Sequence, residues 1–393
     1  VGIFEKCLNY SEPDKVQAAG LYPYFRVIES QQDPVVLIGG REAVMCGSNN
    51  YLGLASHPKV KEAAIEAIRK YGTGTTGSRF LNGTLGIHIE LEEKLAHFFR
   101  KEGGLVFSTG YQTNLGVLAA LVGRGEVAVS DRQNHASIVD GLRLSYGDVR
   151  KYKHNDMGDL EKVLESEAER NKLVVVDGVF SMEGDVAHLD RIVSLKDRHN
   201  FGLMVDDAHG IGVMGPTGRG TAEHFGLEDE VDVIMGTYSK SLATIGGFVV
   251  ASAPIIKYLK HTSRSMIFSA SLAPGLVAAV SAALDIIDQE PERRERLWAN
   301  TRKMLEGFRS YGFDTGESET PVIPIVVGED ELAFRMALML QEEGVFANPV
   351  VSPATPPGRA LIRTSYMATH TDEQLDRVLA AFVKVGRQMG VIN

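Results

Sequence analysis

Lys240 stands in Gly236-Thr237-Tyr238-Ser239-Lys240-Ser241-Leu242, a stretch of small and hydroxylated residues directly after the apolar run Asp232-Val233-Ile234-Met235. A lone loop lysine is ordinarily a solvated charge, so its meaning depends on what the chain places with it. Upstream lie Asp206 and His209 in Val205-Asp206-Asp207-Ala208-His209-Gly210, Ser181 in Phe180-Ser181-Met182, and His135 in Asn134-His135-Ala136-Ser137. An amine, a carboxylate, two imidazoles and the hydroxyls of Thr237, Ser239 and Ser181 are the set that pyridoxal phosphate needs. Its aldehyde forms a Schiff base with a lysine, its ring nitrogen must be kept protonated by an anion, and its phosphate needs N–H groups and hydroxyls. Lys240 would then hold the aldehyde, Asp206 would pair with the pyridinium, and His135 would lie flat over the ring. A helix N-terminus at Gly110-Tyr111-Gln112 would offer amides to the phosphate. Each residue also has a plain structural use: Asp206 can cap a turn, His135 can be a core imidazole, and the hydroxyls can cap helices. Their joint presence in this chain order is what favours the cofactor.

These residues fall where apolar runs end. Leu105–Phe107, Val127–Val129, Leu173–Val176, Leu203–Val205, Asp232–Met235 and Phe248–Ala251 are expected as strands, and Leu115–Val122 as a helix after a turn over Gly110–Asn114. Strands alternating with helices predict a mostly parallel sheet with crossover helices. In such sheets ligands bind beyond the carboxyl ends of the strands, so the polar loops converge on one crevice. Ahead of the sheet, the turn Asn49-Asn50-Tyr51-Leu52-Gly53 leads to a helix with Ser56 as expected cap, Pro58 in the first turn, and Val60, Ala64, Ile68 and Tyr71 on one face. The loop Tyr71–Phe80 is rich in glycine and hydroxyls but lacks the Gly-Lys-Ser/Thr of a P-loop. Beyond Glu290-Pro291-Glu292 the pattern changes. Strands are expected over Val322–Val327, Val345–Ala347 and Leu361–Ser365, and a helix over Leu332–Leu340. A last helix starts at Asp372 behind a Thr371/Gln374 capping box, and Asn348–Pro357 is expected as an irregular loop. The expected organisation is an N-terminal arm, 1–45, a large cofactor-binding α/β domain, 46–290, and a smaller C-terminal α+β domain, 291–393.

Composition narrows the function classes. The 393 residues are 44% hydrophobic and 23% charged, with no apolar run of the ~18 residues that a membrane span needs. The opening Val1-Gly2-Ile3-Phe4-Glu5-Lys6 lacks the pattern of a secretory signal, which predicts a chain that stays in the cytoplasm. A net charge of -10 argues against a nucleic-acid partner. The two cysteines, Cys7 and Cys46, suit a reducing compartment and have no metal-ligand spacing, so no metal is expected.

The order of motifs resembles the α-oxoamine synthase family of fold-type I pyridoxal-phosphate enzymes, over nearly the whole chain. The likeness is carried by Ser48-Asn49-Asn50-Tyr51-Leu52-Gly53-Leu54, Gly77-Ser78-Arg79-Phe80-Leu81-Asn82-Gly83, His135-Ala136-Ser137, Asp177-Gly178-Val179-Phe180-Ser181-Met182-Glu183-Gly184-Asp185, the Asp206–His209 motif and Thr237-Tyr238-Ser239-Lys240. The resemblance implies a homodimer with shared active sites that condenses an amino acid with an acyl-CoA, releasing CoA and carbon dioxide. It implies that Lys240 also removes the Cα proton, and that His135 touches the substrate carboxylate. His209 would hydrogen-bond the phenolic oxygen of the cofactor. Thr237, Ser239, Gly110, Tyr111 and Ser181 would complete the cofactor site, and Ser269 would reach the phosphate bound by the partner subunit. Arg363, Asn49 and Arg26 are the substrate-binding candidates. The segments Gly20–Arg26, Asn348–Pro356 and Ile362–Thr371 resemble members that join L-serine to palmitoyl-CoA to form 3-oxosphinganine. Siblings use alanine with a pimeloyl thioester or glycine with acetyl-CoA. A non-catalytic member would lack the lysine, which this chain keeps. A long-chain product would also bring the chain into peripheral contact with the inner face of a membrane.

Overall fold

The computed structural model describes residues 2–393, which group into two compact units. One comprises residues up to Ser48 together with Ala299–Asn393, and the other is Asn49–Trp298. The sequence pattern predicts three consecutive segments. In the structure the first segment instead shares a unit with the last, because strand β2 (Arg41–Met45), which pairs antiparallel with β1 (Val35–Ile38), also pairs in parallel with β11 (Val345–Phe346). Val44 and Cys46 are buried in one cluster with Phe308, Phe313, Ile362 and Phe382.

The Asn49–Trp298 unit is built on seven strands: β3 (Gly103–Phe107), β4 (Val127–Asp131), β5 (Asp148–Tyr152), β6 (Lys172–Asp177), β7 (Phe201–Asp206), β8 (Val233–Thr237) and β9 (Gly247–Ala251). Their order is β3-β9-β8-β7-β6-β4-β5. The five strands from β8 to β5 are mutually parallel, as the alternation predicts, and β9 runs antiparallel to both its neighbours. Its direction has a local cause. The link between β8 and β9 is too short to hold the crossover that a parallel pair needs, so the chain returns antiparallel and Lys240 lies in that return. Strands β4 and β6 through β9 carry apolar residues at consecutive positions, as in Val127–Val129, Leu203–Val205 and Phe248–Ala251, because both faces are covered.

Local details differ from the sequence expectations where packing or caps decide. The helix expected from Leu115 begins at Gly110, since Thr109 caps it by accepting from Gln112 N at 3.0 Å. Helix Pro58–Tyr71 has His57 rather than Ser56 at its N-cap position, with no capping bond from that side chain, and it buries Val60 and Ala67 while Ile68 is 44% exposed. In the other unit β10 (Val322–Gly328) and β12 (Asn348–Val350) flank β13 (Ala360–Ser365), so part of the expected irregular loop is a strand. The capping box is present: Thr371 N donates to Gln374 Oε1 at 3.0 Å and Gln374 N to Thr371 Oγ1 at 3.2 Å.

Candidate active site

One cavity of about 360 Å³ opens at the carboxyl ends of β4, β6, β7 and β8. Lys240, His135, Asp206, His209, Gly110, Tyr111, Ser181, Thr237 and Ser239 all line it. Residues spread over more than a hundred positions of sequence meet there because parallel strands deliver every carboxyl end to the same edge.

Asp206 ends β7 and is buried. Its Oδ2 accepts from Asn114 Nδ2 at 2.7 Å, and its Oδ1 from Ala208 N at 3.1 Å. The second Nδ2 hydrogen of Asn114 goes to Ser137 Oγ at 2.8 Å, and Ser137 Oγ lies 2.7 Å from His135 Nδ1. The directions follow from the anion. A carboxylate can only accept, so Asn114 must turn its amide nitrogen toward it; Ser137 Oγ then accepts from Asn114 and donates to His135. Ser137 N also donates to His135 Nδ1, at 3.2 Å, which leaves the ring proton on Nε2. Burial and the Lys240 charge hold the imidazole pKa below its ordinary value against the pull of Asp206, so a neutral ring agrees with the hydrogen-bond pattern. His135 is also fixed through its backbone, whose N–H donates to Asp177 Oδ2 at 3.0 Å. Asp177 sits beside Asp206 in register at the end of β6, and burial, followed by the Asp206 charge, raises its pKa well above the usual carboxylate range.

His209 meets Tyr51, whose hydroxyl lies 2.6 Å from His209 Nδ1, and Tyr51 OH is 3.5 Å from Asn49 Oδ1. Asn49 thus lies beside the phenol that meets the cavity lining. Thr237 Oγ1 lies 3.0 Å from Ser239 Oγ and also 3.0 Å from Gly246 O. The lysine return is tightly held. Tyr238 is buried and stacked on Phe248 at 5.6 Å, Ala243 N donates to Lys240 O at 2.9 Å, and Ala243 takes a left-handed φ of 62°. That conformation costs a non-glycine residue about 1 kcal/mol or more and persists where surrounding structure over-determines it.

At the head of helix Gly110–Leu121 a Cβ on Gly110 would lie 2.7 Å from Thr237 Oγ1, so only glycine lets the helix start this close to the hydroxyl cluster. Tyr111 OH donates to Asp140 Oδ2, and Gln112 Nε2 donates to Ser269 Oγ at 3.2 Å, which places Ser269 one side chain from the same helix end.

The remaining two candidates belong to the other unit. Arg363 is buried on β13, opposite Asn348 of β12 and Pro324 of β10. Arg26 stacks over Phe346 at 3.6 Å, and its guanidinium donates to Ala347 O, Asn348 Oδ1 and Gln341 Oε1. These contacts give Arg26 a packing role in its own unit. Asn114, Ser137, Tyr51 and Asp177 were not expected as site residues. Asn114 had a readable signal, since it lies four residues after Gly110 and so on the same helix face.

The doubly covered, mostly parallel sheet with a lysine return and a buried carboxylate at neighbouring strand ends has the fold of pyridoxal-phosphate enzymes of fold type I. The chain belongs to the aminotransferase class I and II family, whose model matches residues 42–382. It is 51% identical to a serine palmitoyltransferase of Sphingobacterium spiritivorum over 98% of this chain and 96% of that protein. It is also 47% identical to an 8-amino-7-oxononanoate synthase of Symbiobacterium thermophilum, over 97% and 98% respectively. Among solved structures, a Sphingomonas wittichii serine palmitoyltransferase superposes with a TM-score of 0.95 at 37% identity, covering 99% of this chain and 98% of that one. A high-resolution structure of SPT with PLP internal aldimine also gives 0.95, at 38% identity, covering 100% and 99%.

Proposed function

We propose that this chain binds pyridoxal phosphate in the 360 Å³ cavity and condenses L-serine with palmitoyl-CoA, giving 3-oxosphinganine, CoA and carbon dioxide. The observation that carries the reading is the convergence of Lys240, the buried Asp206 and the glycine-cleared helix end at Gly110 on that one cavity. The donor set suits the cofactor: an anion for a ring nitrogen, a neutral imidazole beside it, and hydroxyls with helix amides for a phosphate. The choice of serine and a long acyl chain is supported by relatives bearing that activity's name at about half identity over full length.

When bound, the cofactor supplies a protonated ring that accepts the electron pair left at the substrate Cα. The protein's residues do the rest. Lys240 Nζ would hold the aldehyde and serve as the base for the substrate Cα proton. Asp206 would pair with the ring nitrogen, with Asn114 holding its carboxylate in place. His135 covers the ring and steers the substrate carboxylate, and the Ser137 contact keeps its Nε2–H available. His209, ordered by Tyr51, donates toward the phenolic oxygen. Thr237, Ser239, Ser181 and the amides at Gly110 and Tyr111 hold the phosphate end, and Arg363 takes the substrate carboxylate. Two copies of the chain share their sites through Ser269. The chain works in the cytoplasm, in peripheral contact with the inner face of the membrane. Among the described residues no helix is long and apolar enough to cross a membrane.

The test is a screen of serine, alanine and glycine by the absorbance change of the loaded enzyme, followed by CoA release with palmitoyl-, pimeloyl- and acetyl-CoA. Serine with palmitoyl-CoA is expected to turn over, and Lys240→Ala to lose turnover by at least ~10³-fold. Activity confined to alanine with pimeloyl-CoA would establish the sibling reaction instead.

A further inference from the structure

Behind the cavity wall one imidazole ties together the ends of three neighbouring strands. His154 follows β5; its Nδ1 lies 3.1 Å from Asp131 Oδ1 at the end of β4, and its Nε2 lies 2.8 Å from Asp185 Oδ2 in the segment after β6. Both aspartates are buried, and the imidazole is 21% exposed. A neutral imidazole has one N–H, so it can serve only one of the two carboxylates and must turn a lone pair on the other; an imidazolium donates to both. Burial pulls its pKa down, but the hydrogen bonds and charges of Asp131 and Asp185 outweigh that and carry it up to about 9.

Every group facing the ring agrees with this assignment. The Phe180 ring meets it edge-on at 4.4 Å. On its own segment, Asn155 takes a left-handed φ of 50°, which lets Asn155 N donate to Asp131 Oδ2 at 3.0 Å while Asn155 Nδ2 donates to Asp185 Oδ2 at 2.9 Å. Gln133 N supplies a further donor to Asp131 Oδ1 at 2.8 Å. Lys153 precedes the histidine, with its backbone N–H held by Asp159, and Asp156 caps the next helix. Beyond Asp131, the Tyr152 phenol and Asp177 feel its charge. His154 is thus the cation set directly between Asp131 and Asp185.

The segment that Asp185 anchors is the one that reaches the cavity. Val179 and Val186 form a bridge, Phe180 N donates to Asp185 O at 3.0 Å and Gly184 N to Phe180 O at 2.9 Å, closing a compact loop. Val179 and Ser181 of that loop line the cavity. We propose that His154 is a positioning residue: as an imidazolium clamped between Asp131 and Asp185 it fixes the Val179–Val186 segment, and with it Val179 and Ser181, against the cavity, and its deprotonation loosens them. The stabilising contribution is full below about pH 6.5, the ordinary histidine value, and is lost as pH rises through the folded value of about 9.

The catalytic consequence rests on the reading of the cavity given above, but the test reads without turnover. Histidine-labelled, cofactor-loaded protein is titrated by NMR while hydrogen exchange follows residues 179–186 against the amides of β7. His154 is expected to titrate near pH 9, with protection of the segment falling about tenfold over the same interval beyond what base catalysis imposes. In Asp185→Asn both midpoints move down together by about one pH unit. In His154→Gln the segment is already poorly protected at pH 7 and shows no step. A His154 that titrates near 6.5, or a segment whose protection ignores its titration in wild type and in Asp185→Asn alike, overturns the proposal. Absence of the condensation activity with these steps present would count against the proposed reaction alone.

Discussion

Asn114 carries no charge and performs no chemistry, yet it joins the two groups on which the cavity depends. Its amide spans Asp206 Oδ2 and Ser137 Oγ, so one side chain orients the carboxylate and sets the His135 tautomer. Hydrogen bonds to charged groups contribute about 1.5–3 kcal/mol, which corresponds to roughly ten- to a hundredfold in a rate or binding constant. Asn114→Ala is therefore expected to lower kcat/KM with serine by about that range while the chain stays folded, as steady-state kinetics alongside circular dichroism will show. A loss no greater than twofold would mean that Asp206 is held adequately by Ala208 N alone. At this scale the sequence showed which groups line the cavity and concealed their supports. Lys240, Asp206 and His135 belong to residue types with chemistry of their own, whereas the role of Asn114 exists only once the helix Gly110–Leu121 crosses the end of β7.

Among the elements, the helix that starts at Gly110 is the one to which the proposed reaction assigns the cofactor phosphate. Its first N–H groups have no intrahelical acceptors, and its positive end faces the cavity lining. Glycine is required at the start for room rather than for an unusual backbone angle: a Cβ would come within 2.7 Å of Thr237 Oγ1 and 2.8 Å of Thr237 Cβ, and a Cβ on Gly247 would in turn come within 2.7 Å of Gly110 Cα. Gly110→Ala should push Thr237 away and weaken pyridoxal phosphate binding by at least about tenfold, read by absorbance titration of cofactor-free protein, with a stability loss of about 1–3 kcal/mol in the unloaded protein. Unchanged affinity would place the phosphate elsewhere. The sequence expected this stretch both as a turn and as a helix start; Thr109 resolves it by capping, a contact of the kind that shifts helix ends by several residues.

Across the molecule, the chain's two ends build one unit. Residues up to Ser48 supply β2, whose pairing with β11 buries Val44 and Cys46 among side chains from beyond residue 300. A chain lacking residues 1–48 is accordingly expected to expose the β11 edge and to lose protection at Val345–Ala347, with aggregation as the visible outcome, while β6 and β7 of the other unit keep their slow exchange. Hydrogen exchange on the truncated and full chains checks this, and native protection at Val345–Ala347 in the truncated chain would refute it.

What the sequence determined by itself was the class of fold and the set of polar residues that gather at the cavity. Buried parallel strands leave near-continuous apolar runs, and the polar residues that end them can only gather at one edge of the sheet; the lysine with its aspartate and two histidines was legible for that reason. The tertiary structure alone decided three further things. It set β9 antiparallel and Lys240 in the return beside it, because a short link permits nothing else. It tied Asp206 to His135 through Asn114 and Ser137, and His154 to Asp131 and Asp185, because such networks join residues whose separation in the chain carries no period. It also placed the first segment in a unit with the last, because strand pairing depends on which edge is free in space, and no local pattern of residues encodes that.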